Sequence, residues 1–451
     1  MSKQHTRPTA RVLSVILALA FLALSTSLAS AQPRAVSTLF TELAKLTASD
    51  AAVFNDFGRS VSISGDVLVV GASGGDPSAG YPGAAYVFER DAGGQGGWDQ
   101  VAKLTASDGI ADDQFGYSVS IDGETIVIGA PFTDDNGDRS GSAYLFEKPG
   151  TGWADMTETA KFTASDGAEY DDLGFSVSIS GDTVVVGAPD DDDEGDHSGS
   201  AYLYEMPVGG WADMTETAKF TASDGAEMDC FGYSVSIDGD TVLVGAYGDD
   251  AGGLDSGSAY LFEKPVSGWT SMTETAKLTA SAAAEQDAFG ISVSIIGDAV
   301  AIGSPGDDYG GSAYLFEKPV SGWTNMTETA KLSASDGAAM DALGYAVSIG
   351  GDMLVVGAYG DSANGDQSGS AYLFEKPVSG WTSMTEAAKF TASDSAWMDS
   401  FGMSVSISGD TVVVGALGND DDGENSGSAY VFGPFTPVAW VYLPVALRSA
   451  P

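Results

Sequence analysis

The sequence predicts an all-β fold, a seven-bladed β-propeller of four-stranded antiparallel blades, on three observations. One unit recurs along nearly the whole chain, each unit alternates large and small residues with a period of two, and the first and last units complement each other. The recurrence is plainest in the stretch A-K-[LF]-[TS]-A-S. Its lysine falls at Lys45, Lys103, Lys161, Lys219, Lys277, Lys331 and Lys389, a spacing of 58 residues everywhere except one of 54. Units of this size, copied seven times, form an array in which each buries its faces against its neighbours.

The first strand of a unit is seen in Phe115-Gly116-Tyr117-Ser118-Val119-Ser120-Ile121, where bulky residues alternate with glycine and serine. That period gives a strand with one large and one small face. Asp122-Gly123 follows as a tight turn, and Gly181-Asp182 and Gly409-Asp410 mark the same place in other units. Glycine supplies the positive φ such a turn requires. The second strand, residues 183–188, is apolar on both sides and is expected to be buried on both. The third runs through residues 200–204 and the fourth, after a loop with Pro265 and Trp269, through residues 275–280. The linker tryptophans Trp98, Trp153, Trp211, Trp269, Trp323 and Trp381 recur regularly and are expected to wedge between blades.

The ends of the array fit together. The last unit stops after Tyr430-Val431-Phe432 without a fourth strand, and residues 43–49 precede the first unit with no blade of their own. Joined, they complete blade seven and close the ring, leaving no free sheet edge. The propeller is therefore assigned to residues 40–432.

Residues 1–31 read as a secretory signal peptide: Lys3, Arg7 and Arg11 precede an apolar run over 12–24, with Ala29-Ser30-Ala31 as a cleavage site. Its removal takes the net charge from −45 to −48. Nucleic acid is excluded as a partner, since binding it needs clustered Lys and Arg, and anionic membranes are disfavoured for the same reason. The tail, residues 433–451, leaves the repeat and is too short and too proline-interrupted to span a bilayer. Two readings stand for it, a sorting or surface-attachment segment and a strand docked on the propeller. The single cysteine, Cys230, makes no internal disulfide, so a secreted or cell-surface monomer relies on its core.

The spacing from Phe115-Gly116 to Gly129-Ala130-Pro131 resembles the FG-GAP repeat of the integrin alpha-subunit head, and most closely its bacterial variety. The resemblance covers nearly all of residues 40–432. It implies a seven-bladed, extracellular propeller engaged in adhesion or ligand binding, although a fold does not fix a function. One departure matters. Integrin-type repeats carry a calcium loop between the F-G and G-A-P strands, where this chain has only a tight turn such as Ser180-Gly181-Asp182, so those ligands are not carried over.

Acidic loops lie instead between second and third strands. They hold Asp134, Asn136 and Asp138; Asp190, Asp192, Glu194 and Asp196; Asp361, Asn364 and Asp366; and Asp420, Asp422 and Glu424. Alternating carboxylates on a glycine-containing loop suit calcium, which takes six to eight oxygen ligands, and a solvated acidic turn is the competing reading. Blade-to-blade loops share their face and carry Asp113, Asp171, Asp229, Asp287, Asp341 and Asp399, whose recurrence points to bonding with local backbone.

The position before that aspartate varies: Phe54, Asp112, Tyr170, Met228, Gln286, Met340 and Met398, with Trp397 beside the last. These residues are expected to rim the central channel. Exposed aromatic and Met side chains around a concavity suit an extracellular protein or polysaccharide ligand, and packing between loops is the alternative. Catalysis has little support. His197 is the one histidine of the mature chain, and G-x-S-x-G and H-E-x-x-H are absent. The sequence thus points to a non-enzymatic binding propeller, stabilised by calcium if the acidic loops hold it. Its rivals are a structural surface component and a polysaccharide-active enzyme using a carboxylate pair.

Overall fold

The computed structural model describes residues 40–74, 81–93 and 97–434, so the signal-peptide assignment and the tail beyond Pro434 lie outside the described residues, while Gly433 and Pro434, assigned to the tail, end the last strand. Seven sheets, each with a four-stranded antiparallel body, follow one another along the chain. Blade 3 is representative, with Ser176–Ser180, Thr183–Ala188, Ser200–Glu205 and Ala218–Phe220 paired in that order. Blade 7 is completed by Phe40–Leu46, which pairs antiparallel with Ser428–Pro434 and sets Lys45 opposite Tyr430. Lys219 stands opposite Tyr202 in the same way, so the N-terminal strand takes the register of an ordinary fourth strand. The shorter repeat spacing is absorbed in blade 5, where a single 3-10 turn at Asp307–Tyr309 replaces a longer loop.

The F-G dipeptide lies outside the first strand in blades 2 to 7, contrary to the reading of 115–121 as one strand. In blade 2 the strand begins at Ser118, and Phe115 forms a parallel bridge to Gly83 of the preceding blade. Gly116 takes a φ of 94° there, and a Cβ would stand 2.3 Å from the Ala84 carbonyl oxygen; in blade 1 Gly58, with φ 92°, stays in the strand at a register shift between Phe57 and Ser60. The four-strand count is exceeded in three sheets. Met214–Thr215, Met326–Thr327 and Met384–Thr385 each pair parallel with the fourth strand of the blade before.

The core sits between blades. Between blades 2 and 3, Val127, Leu145 and Phe162 pack against Val177, Ile179, Val186 and Tyr204, and Trp211 closes the cluster. Phe162 stacks on Tyr204 at 4.7 Å and meets Trp211 at 5.4 Å, so the linker tryptophan wedges against the preceding blade. The small face of the first strand does more than allow close approach. Ser118 donates to the Gly174 carbonyl at 2.8 Å, and Ser120 accepts from the Ile179 amide at 3.2 Å. The second bond recurs around the ring, including across the closure, where Ser406 accepts from the Ile63 amide.

Candidate binding face

Loops of two kinds meet on one face of the ring. Each blade-to-blade loop lies against the second-to-third loop of the preceding blade. Between blades 2 and 3 the Tyr170 amide donates to the Asp138 carbonyl at 2.8 Å, while Asp172 and Leu173 donate to Arg139 and Ser140. Met228, Cys230 and Phe231 bond Asp196, His197 and Ser198 in the same register. This pairing puts alternate residues in the left-handed region. The varying position has φ 60° at Phe54, 72° at Tyr170, 70° at Met228, 72° at Met340 and 62° at Met398, with Asp112 and Gln286 alike. None is glycine, and an L-residue held there costs about 1–2 kcal/mol.

The side chains so placed face solvent. Met340 is 85% exposed, Trp397 62% and Met228 52%. Tyr170 and Met398 are exposed too, and Phe54 is half-buried. Tyr170 also donates its hydroxyl to Asp138 at 3.0 Å. Met228 and Gln286 flank a cleft shared with Cys230, Tyr247 and Asp255.

Under this rim the recurring aspartates bond local backbone. Asp113 accepts from the Ile110 amide at 2.7 Å, and Asp171, Asp229, Asp287, Asp341 and Asp399 accept from the residue three before them. Burial pushes Asp113, Asp171 and Asp229 up to about 6, against the pull of those amides.

A second layer escaped the sequence reading, which used the repeat lysines only as landmarks. In blade 4 the Lys277 ammonium donates to Asp224 and Asp249, both at 2.7 Å, and the Tyr260 hydroxyl reaches the same two carboxylates. Asp224 comes from the loop entering the blade, so the cluster ties neighbouring blades. Burial would raise the Asp249 carboxyl, but Lys277 and Tyr260 outweigh it and hold it below the usual carboxylate range. At the closure Asp394 bonds Lys45 of the N-terminal strand and Tyr430 of the C-terminal one. A further clamp repeats below: Glu216 takes the Ser165 amide and hydroxyl, and Glu42 takes those of Ser393 across the closure.

The candidate calcium ligands are dispersed among such partners. Asp134, Asp192 and Asp420 accept from the amides of Arg139, His197 and Asn425 in their own loops. Asn136 donates to the Ala164 carbonyl, and Asp190 and Asp196 flank His197 at 3.0 and 3.6 Å. Asp361 is buried and bonded to Lys389, Tyr372 and the Ala363 amide. Glu194 and Asp422 donate backbone amides to Ser198 and Ser426, while Asp366 and Glu424 lend backbone carbonyls to Met398 and Phe54. Asn364 is exposed. Among the described residues no three His, Cys, Asp or Glu side chains converge on a point that would hold a metal ion.

The face is not evenly built. Between blades 2 and 3, Arg139 pairs with buried Asp172 through Nε at 3.1 Å and Nη2 at 2.5 Å, and its guanidinium lies over Phe132. Burial pushes Asp172 up to about 7 despite Arg139. Inside the rim, the residue after each F-G dipeptide points into the channel: Arg59, Tyr117, Phe175, Tyr233, Ile291, Tyr345 and Met403 enclose a cavity of about 120 Å³. Arg59 lies 4.1 Å over the Tyr117 ring, and Tyr117, Phe175 and Tyr233 touch in sequence at 4.8 and 4.7 Å. This position varies as much as the rim, and that variation is the signal which could have found it.

The FG-GAP repeat family model matches residues 40–88, 98–146, 156–204, 214–262, 272–316, 326–374 and 384–432, seven matches that each span the fourth strand of one blade and the first three of the next. No curated protein matches the chain.

Proposed function

We propose, for a chain that belongs to the FG-GAP repeat family, that the acidic face binds an extracellular protein or polysaccharide ligand through the side chains displayed around its rim. The reading rests on one observation. Every rim position holds a left-handed backbone, yet none is glycine and most present an apolar side chain to solvent. The left-handed backbone recurs two residues on, even at Ala288 and Ala342, so it is the display of apolar side chains around a concavity that supports contact with a ligand. FG-GAP repeats are typical of extracellular or surface proteins, and among the described residues no helix is long and apolar enough to cross a membrane.

The molecule acts by binding, without catalysis. The carboxylates under the rim are taken up by backbone amides, lysines and tyrosines, which leaves them in structural roles. Calcium is not needed for the face to form, because those same partners hold the acidic loops.

Binding to arrays of extracellular proteins and polysaccharides tests the reading, with the native chain beside Tyr170→Ala and Trp397→Ala variants. Loss of a native partner in both variants, with unchanged melting, is expected. Retention of every partner by both would exclude the rim as the binding surface.

A further inference from the structure

We infer that the channel ring is a binding site for a small carboxylate, with Arg59 as its anchor. Among the described residues every lysine and arginine except Arg59 forms a salt bridge. In a chain of net charge −45, Arg59 is the one lysine or arginine among the described residues left without a carboxylate, and it lines the channel. Asp56 precedes the F-G dipeptide of the same blade and feels the charge of Arg59, but the two form no ion pair. What Arg59 has is Tyr117, whose ring lies under its guanidinium and whose hydroxyl it also approaches, and that one contact does not use all five of its N–H donors.

The surroundings suit a flat anion. The cavity of about 120 Å³ is walled by Tyr117, Phe175, Tyr233 and Tyr345 and opens into a channel bearing Ser60, Ser118 and Ser176. The site is at the end of the channel nearest the rim, since Tyr233 and Tyr345 touch Tyr247 and Tyr359, which follow the second strands there. A guanidinium binds a carboxylate by two parallel hydrogen bonds, is weakly hydrated and loses little on entering an apolar site. The negative field of the whole molecule repels anions, so selection falls on a ligand whose carboxylate is carried on an aromatic or other apolar group that fills the ring.

Calorimetric titration of the full chain with benzoate, and with neutral benzamide of the same shape, tests this at fixed ionic strength. Saturable binding of benzoate, and none of benzamide, is expected. Arg59→Met removes it, and Arg59→Lys, which keeps the charge without the fork, weakens it about tenfold or more. Equal binding of the two compounds, no binding of benzoate by the native chain, or full binding by Arg59→Met would overturn the assignment. The native-chain comparison holds even if a variant folds poorly. It needs no natural ligand, so its failure leaves the reading of the rim intact.

Discussion

Two layers of one face differ in what they repeat. The lower layer, built of Lys, Tyr and Asp, keeps its chemistry from blade to blade, whereas the rim above keeps its backbone and changes its side chain each time. Blade 5 shows how firmly the lower layer is held. Ala282 stands where Asp224 and its counterparts stand elsewhere, and Asp308 from the shortened loop takes Lys331 in its place at 2.6 Å. No such compensation links Tyr170, Met228 and Met340. A position whose geometry is fixed and whose side chain is free carries recognition, and a position whose side chain is restored after loss carries architecture.

The largest effect is expected in the lower layer. Lys277→Met strands Asp249, a buried carboxylate, and should cost about 3–5 kcal/mol in denaturant unfolding. A loss under about 1 kcal/mol would mean that the layer is a solvated surface network.

A pH scan separates the carboxylates by sign. Asp113, Asp171 and Asp229 titrate near 6 in the fold against 3.8 as the ordinary value, so the folded state takes up protons first. Their contribution is present at low pH and lost as pH rises through about 6. Lowering the pH from about 7 to about 5 should therefore stabilise the chain by at most about 1 kcal/mol per carboxyl, less where solvent screens the charge. Asp249 and Asp361 have the opposite sign, held low by Lys277 and Lys389 against their burial, and their contribution is lost as pH falls below the ordinary carboxylate range. The melting midpoint is expected to peak near pH 5, about between the two groups, and a steady rise towards pH 8 or so would contradict the assignment.

Asp224→Ala gives blade 4 the residue found in blade 5 and should cost only about 1 kcal/mol, because Asp249 still holds Lys277 and Tyr260. Equal losses for Asp224→Ala and Lys277→Met would show that the entering loop, not the lysine, bears the junction. The smallest effect is expected from calcium. At fixed ionic strength it should leave the melting midpoint where magnesium leaves it, and a calcium-specific rise would show that the loops rearrange to gather ligands.

Much of this arrangement was legible in the sequence. The repeat spacing gave the blades, the unequal ends gave the closure, and recurrence of Asp113 and its equivalents pointed to the backbone bonds they make. The clamps were not legible, because their partners sit one repeat apart, as Lys103 and Asp50 do, and a pattern identical in every repeat does not say which copy meets which. Arg59 and the ring were hidden for another reason. They occupy the large-residue phase of the strand alternation, which reads as ordinary packing until the seven first strands are set around one axis. In the acidic loops, spacing shows the carboxylates and not the amides and lysines that bond them.

The most direct test combines Met228→Gly, Met340→Gly and Met398→Gly in one chain and measures melting and ligand binding together. Glycine relieves the left-handed backbone but loosens the unfolded chain, so stability should hold or rise by about 1 kcal/mol while binding is lost. A lower melting midpoint with binding retained would contradict the account, since the side chains would then serve the fold and not the ligand.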